Sequence, residues 1–110
     1  MHVNLVGSSA ADAREADDEV VARPGFFIVF RPSTLDQAGE LLHAIATGRV
    51  AEDHIVGEIG EVLAGDCVGR TSADEITLYK SLGVAAQGIV TARHIFHSAE
   101  QKCLGTVANL

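Results

Sequence analysis

Apolar residues along this chain gather in short blocks separated by glycine and polar turns. "HVNLV" (His2–Val6) ends at "GSSAAD", which predicts a strand followed by a turn. "DAREADDEVVA" (Asp12–Ala22) predicts a helix, with Asp12, Asp17, Asp18 and Glu19 setting negative charge in its N-terminal half. Arg23-Pro24-Gly25 breaks that helix. "FFIVF" (Phe26–Phe30) is continuously apolar, as in a strand buried on both faces. "RPST" follows, where Ser33 or Thr34 would cap a helix carrying Leu35, Ala38, Leu41, Leu42 and Ile45 at helical spacing, with Gly48 as its C-cap. Ala51–Gly65 repeats that period through Ile55, Ile59, Val62 and Leu63 and predicts a further helix, weakened at Gly57 and Gly60. Ile76, Leu78 and Tyr79 predict a strand, and Val84 to about Lys102 a last helix with Ile89, Val90, Ile95 and Phe96. The tail "CLGTVANL" fits no single pattern.

The order strand, helix, strand, helix, helix, strand, helix predicts an α/β fold with parallel strands. The 110 residues suffice for one small domain, and no internal repeat, linker or second boundary interrupts them. Hydrophobic residues at 47% against 21% charged place the chain among globular proteins. A formal net charge of -7 argues against nucleic acid as a partner, because a phosphate backbone would be repelled. No apolar run approaches the ~20 residues of a membrane span. The N-terminus lacks the basic segment of a secretory signal. Cys67 and Cys103 match no metal or redox spacing and read as free thiols of a cytoplasmic protein, with a disulfide as the alternative.

Three stretches carry candidate chemistry. "NLVGSS" sets Gly7 and two hydroxyls at the C-terminal end of a strand, where ligands bind in open α/β sheets; an ordinary turn with Ser9 as a cap explains the same residues. "LYKSLG" makes a second such end. There Lys80 reads first as a solvated strand-end residue, with a carboxylate-binding cation or a Schiff-base amine as alternatives. Ser81 would cap the next helix or bond a ligand amide, and Gly83 permits a positive φ or close backbone approach. "HIFH" puts His94 and His97 three apart, with Glu100 and Cys103 as the nearby candidates for further ligands; exposed paired histidines are the commoner reading, so no metal is assigned. His2, His43 and His54 have no partner pattern, and Asp17-Asp18-Glu19 reads as a solvated acidic face. Neither G-x-G-x-x-G nor G-x-x-x-x-G-K-[ST] occurs, so the chain carries no recognisable pyrophosphate cradle.

"GEIGEVLAGDCVGRTSADEITLYKSLGVAAQ" (Gly57–Gln87) resembles the C-terminal signature of the ornithine cyclodeaminase/mu-crystallin family, through Glu58, Gly60, Glu61, Gly65, Gly69-Arg70-Thr71, Glu75-Ile76-Thr77 and Lys80-Ser81. "HVNLVGSSAADAREADDE" is similar to a second family stretch, H-I-N-A-V-G followed by R-E-L-D. The resemblance covers essentially the whole chain. It implies a partial Rossmann-like domain: residues 1 to about 68 would form the C-terminal part of an NAD(P)-binding domain, and about 69–110 a strand-helix segment whose helix packs on the other domain in the family.

The implied cofactor is NAD or NADP. Asn4, Leu5, Val6 and Gly7 would lie along the nicotinamide side, Ser81 near the nicotinamide or its ribose, and Gly83 beside the substrate. The implied parent activity is oxidoreduction or deamination of a small amino or imino acid, with hydride moving between the substrate Cα and the nicotinamide. Cyclodeaminases carry a catalytic Asp two residues after the V-G pair; Ser9 stands there, as in the mu-crystallin/ketimine reductase branch, and a lone Ser cannot serve as proton acceptor or cation stabiliser in its place. Phe30 replaces an Asp that often ends its strand, and Tyr79 replaces a Phe. Family members are much longer and carry the phosphate loop and substrate-binding Arg and Lys in their N-terminal part. The expectation is therefore a truncated member with little activity alone. The alternative is a non-catalytic interaction module or one half of a split enzyme, with a complementary N-terminal chain or a second copy as partner.

Overall fold

The computed structural model describes residues 1–106 and 108, so Val107, Asn109 and Leu110 of the tail lie outside the described residues. The elements run β1 (His2–Leu5), α1 (Asp18–Ala22), β2 (Gly25–Ile28), α2 (Arg31–Gln37), α3 (Gly39–Ala46), a 3-10 turn (Glu52–His54), β3 (Ile55–Glu58), α4 (Ile59–Ala64), β4 (Thr77–Lys80) and α5 (Ala85–Gln101). The four strands form one sheet in the order β1-β4-β2-β3. Every pairing is parallel, as the alternation of strands and helices predicts.

Strand alternation decides what each face carries. Val3, Leu78 and Phe26 lie side by side across β1, β4 and β2, and so do Leu5, Lys80 and Ile28. This face meets α1 and α3 and holds the core: Leu5, Val21, Phe26, Ile28, Leu41, Ala44, Ile55 and Leu78. The other face carries the row Asn4, Tyr79, Phe27. Phe26, Phe27 and Ile28 are all buried, in keeping with the two-sided burial expected of the "FFIVF" run.

Several boundaries depart from the sequence pattern. The helix expected over Ala51–Gly65 is a 3-10 turn, a strand and a short helix. Ile55 and Val56 are β-branched, and pairing with β2 outweighs a 3.6-residue period that two glycines already weaken. Gly57 lets Cys67 pack against that strand, since a Cβ there would lie 2.6 Å from Cys67 Sγ. Glu58 then caps α4 reciprocally with Glu61, and Gly65 ends it in the left-handed region at φ 86°.

The helix expected from Leu35 onwards is split at Ala38. At Gly39, a Cβ would meet the carbonyl oxygens of Ala10 and Ala11 at 2.9 and 2.8 Å, so the β1–α1 loop crosses directly over the start of α3. Neither Ser33 nor Thr34 is an N-cap. Helix α2 begins earlier, after Phe30, with Pro32 in its first turn; both hydroxyls donate back to the Phe30 carbonyl, at 3.0 and 2.9 Å. The helix expected over Asp12–Ala22 is confined to its last five residues, because Asp17 accepts from Val20 N at 2.9 Å and fixes the N-cap there.

Candidate functional site

Parallel strands present their C-terminal ends on one edge, and here β1 and β4 are neighbours. The ladder runs one step past both strands: Ser81 N donates to Leu5 O at 3.0 Å. That bond joins the two stretches singled out from sequence, Asn4–Gly7 and Ser81–Gly83. Val6, Gly7, Ser9 and Gly83 are exposed at this edge, and Ser81 is half-buried. Gly83 takes φ 75°, so the predicted positive φ is present. Ser81 does not cap α5, whose N-cap is Val84; its Oγ accepts from Gly83 N at 3.2 Å and shapes the turn instead. Leu5 points its side chain into the core, which leaves only its main chain at the edge.

Asn4 faces the opposite way, into a cavity of about 540 Å³ on the second face of the sheet. Phe27 and Tyr79 form its floor, Ile59 and Leu63 of α4 flank it, and Arg70 closes one side. Arg70 is fixed by donating to Met1 O and, at 3.2 Å, to Thr77 Oγ1. Glu75 accepts from Thr71 N at 2.6 Å and from Thr71 Oγ1 at 2.9 Å, and these bonds lower its carboxyl below the ordinary value.

The largest departure from expectation is Lys80. It is not solvated: its side chain is 0% exposed, on the core face between α3 and the β1–α1 loop. Its Nζ donates to Ser8 O at 2.7 Å and to Glu15 Oε2 at 2.8 Å, and lies 2.7 Å from Glu40 Oε1. Glu40 is also fully buried. Neither Glu40 oxygen has a hydrogen-bond partner of acceptable angle, so its contact with Lys80 is a charge pair at short range rather than an aligned hydrogen bond. Glu15 also accepts from Gly7 N at 2.8 Å through its other oxygen. The Lys80 hydrogen bond, followed by the backbone N–H groups of Ser8 and Gly7, lowers the Glu15 carboxyl to about 2. Sequence reasoning passed over this cluster. A usable signal was the period-2 alternation of β4, which turns Lys80 to the same face as buried Leu78.

The acidic run is likewise engaged rather than only solvated. Asp17 caps α1, and Asp18 bonds His43 Nδ1 at 2.8 Å and Thr47 Oγ1 at 3.2 Å, with the His43 bond lowering the Asp18 carboxyl. His43 and His54 therefore have partners that spacing did not reveal, His54 Nε2 lying 2.8 Å from Val21 O. His97 lies 3.4 Å from Glu100, and among the described residues no three His, Cys, Asp or Glu side chains gather to hold a metal ion. Cys67 and Cys103 are both free. No described helix is long and apolar enough to cross a membrane.

A parallel α/β sheet with a Gly turn and a Ser-x-Gly turn side by side at the C-terminal ends of its strands has the layout of the open α/β folds, which bind ligands at that edge. The comparison with known proteins narrows that class: a sequence model of the ornithine cyclodeaminase/mu-crystallin family matches residues 1–103, and the chain belongs to that family. It is 37% identical over 94 residues to the delta(1)-pyrroline-2-carboxylate reductase of Paracoccus denitrificans, covering 86% of this chain and 30% of the relative. Among solved structures, the delta(1)-pyrroline-2-carboxylate reductase of Thermococcus litoralis in complex with NADH and L-proline superposes with a TM-score of 0.85 at 33% identity, over 98% of this chain and 33% of the other. The iminosuccinate reductase of Paracoccus denitrificans in complex with NAD+ gives 0.78 at 32% identity, over 100% and 33%. The chain thus spans about a third of the length of the relatives it matches.

Val6, Gly7, Ser9 and Gly83 are exposed at the strand ends, while no glycine-rich phosphate loop is present in the sequence. The expected division near residue 68 falls in the loop between α4 and β4, and β4 beyond it is paired on both sides within the sheet.

Proposed function

We propose that this chain is the nicotinamide-facing third of an NAD(P)-dependent imino acid reductase. The observation that carries the reading is the Ser81 N to Leu5 O bond, which sets the two matched motifs side by side at the strand edge. Asn4, Leu5, Val6 and Gly7 line the nicotinamide side through their main chain, Ser81 borders the ribose or carboxamide, and Gly83 leaves room for substrate. Ser9 at the family's Asp position favours reduction of a cyclic or acyclic imino acid over cyclodeamination, since a hydroxyl offers no carboxylate to a developing cation. When bound, the nicotinamide supplies the hydride. The chain's own residues orient the ring and keep one face of it dry. Its free thiols fit a reducing, cytoplasmic setting.

NADH titrated into the isotopically labelled chain tests this. The expected outcome is weak binding, on the order of millimolar, with amide shifts confined to residues 4–9 and 81–83. Shifts centred on α5, or none at those strand ends, would overturn the placement.

A second reading is favoured by α5, in which no residue is buried. Ile89, Val90, Ile95 and Phe96 are each more than 60% exposed. Such a helix suits a chain that works only once joined to the remainder of a family fold, supplied by a complementary chain or by a second copy. On this reading the isolated chain has little activity of its own.

A further inference from the structure

We propose that Lys80 is a positioning residue: clamped between Glu15 and Glu40, it fixes the main chain of Gly7, Ser8 and Ser9 at the strand edge. The clamp draws on three parts of the fold. Lys80 comes from the end of β4, Glu40 from the first turn of α3, and Glu15 and the Ser8 carbonyl from the β1–α1 loop. Between Val6 and Asp17 the chain has no helix or strand to fix it, so the position of its backbone depends on such ties.

The geometry excludes the alternative roles for this amine. A Schiff-base lysine must meet a carbonyl carbon, and a carboxylate-binding cation must meet its ligand. Lys80 Nζ is fully buried and faces three oxygens of the chain itself at 2.7, 2.8 and 2.7 Å. Two ammonium protons are donated to Ser8 O and Glu15 Oε2, and the remaining side is filled by the Glu40 carboxylate as a charge pair. Lys80 therefore acts on the site through the loop, not on a ligand.

Two glycines adapt the backbone to the clamp. At Gly7, a Cβ would lie 2.7 Å from Glu15 Oε1, so a side chain there would shift the carboxylate from its seat over the turn. This assigns Gly7 a task distinct from admitting a ligand: it admits Glu15. Gly39, next to Glu40, does the same for the loop's carbonyls from Ala10 and Ala11. The low Glu15 carboxyl is consistent with a group held by Lys80 and loop N–H groups together.

The functional weight of this inference rests on the reading of Gly7–Ser9 as part of the nicotinamide wall, whereas the clamp itself does not. Amide hydrogen exchange separates the two. In Glu15→Gln, the amides of residues 7–9 should exchange about tenfold faster or more, while those of Phe26–Ile28 in β2 keep their wild-type rates. An equal rise at both places would reveal a merely structural residue, and no rise at either would dismiss the clamp. If Glu15→Gln fails to fold, relaxation of the wild-type chain decides: order parameters at Ser8 and Ser9 near the ~0.85 of rigid backbone support the clamp, and values below ~0.6 refute it. NADH titration of both proteins, read at the Ser81 amide, then supplies the functional measure. Binding should weaken several-fold in Glu15→Gln, and unchanged affinity with a loosened loop would sink the positioning role. A wild type that ignores NADH removes the nicotinamide reading and leaves the exchange result standing on its own.

Discussion

Strand β4 and the helix that follows it, α5, behave differently. At Lys80 the chain is tied across the fold, with a buried cation reaching two carboxylates and a carbonyl 65, 40 and 72 residues away in sequence. A few residues later, α5 runs for 17 residues without a single buried side chain. Both stretches are amphipathic in sequence, but only the first finds its partner inside the chain. The difference teaches that the end of β4 marks a junction. The strand completes a sheet and orders a loop, and the helix beyond it presents an apolar stripe that this chain leaves uncovered.

Removing Lys80 strikes the tied end hardest. In Lys80→Met the aliphatic volume is nearly kept, but fully buried Glu40 loses the cation paired with it and Glu15 loses its strongest partner. Breaking one side of a buried pair costs about 3–5 kcal/mol. That is a large share of the ~5–15 kcal/mol available to a domain of this size. Urea unfolding followed by circular dichroism should show the midpoint fall accordingly, and a loss under about 1 kcal/mol would mean that the cluster is not the anchor described. The acid limb gives a second check. The folded Glu15 carboxyl is lowered to about 2 from the ordinary 4.5, chiefly by its hydrogen bond from Lys80. Its stabilising contribution is therefore present above pH 4.5 and lost as pH falls towards 2. Lys80→Met should be less sensitive over that window than the wild type.

The same contrast explains what the sequence could disclose. Parallel α/β alternation was legible, because strands buried on both faces read as apolar runs and Phe26–Val29 is such a run. The candidate edge was legible as well, since Gly7 and Ser81-Leu82-Gly83 mark the ends of two strands that turn out to be neighbours. Strand β3 was hidden: Ile55, Ile59 and Val62 keep a helical period, and only pairing with β2 selects the strand. The clamp was hidden for another reason. Charged residues are usually exposed, and nothing local in "LYKSLG" announces carboxylates contributed from Glu15 and Glu40. Much of the signature proves structural. Glu58 and Glu61 cap α4, Glu75 holds Thr71, and Lys80 holds the loop.

Glu58 offers an intermediate test of that distinction. Its side chain caps α4 and also accepts from Arg31 N at 2.7 Å, so one carboxylate serves the N-termini of two helices. Glu58→Ala should lower stability by about 0.5–2 kcal/mol, the range for a lost helix cap, and should leave exchange at residues 7–9 unaltered relative to β2. A selective loosening of residues 7–9 would show that the two parts of the signature are coupled, and would blur the separation between capping and clamping.

The smallest effect is expected at the untied end. Phe96 is 61% exposed and lies on the same stripe of α5 as Ile89, seven residues earlier and 69% exposed. In a chain where that stripe touches nothing, Phe96→Ser removes no buried contact, and surface changes of this kind usually stay within about 0.5 kcal/mol. Thermal and urea midpoints of the isolated chain should therefore match the wild type. Sedimentation at rising concentration supplies the other half of the test. If a second copy covers the stripe, the wild type associates and Phe96→Ser does not, because loss of an aromatic anchor weakens an apolar interface far more than it weakens a fold that never buried it. A loss of stability comparable to that of Lys80→Met, seen in a protein that stays monomeric, would erase the contrast: α5 would then fold back on its own sheet, and the second face with its cavity beside Asn4 and Tyr79 would be where it lands.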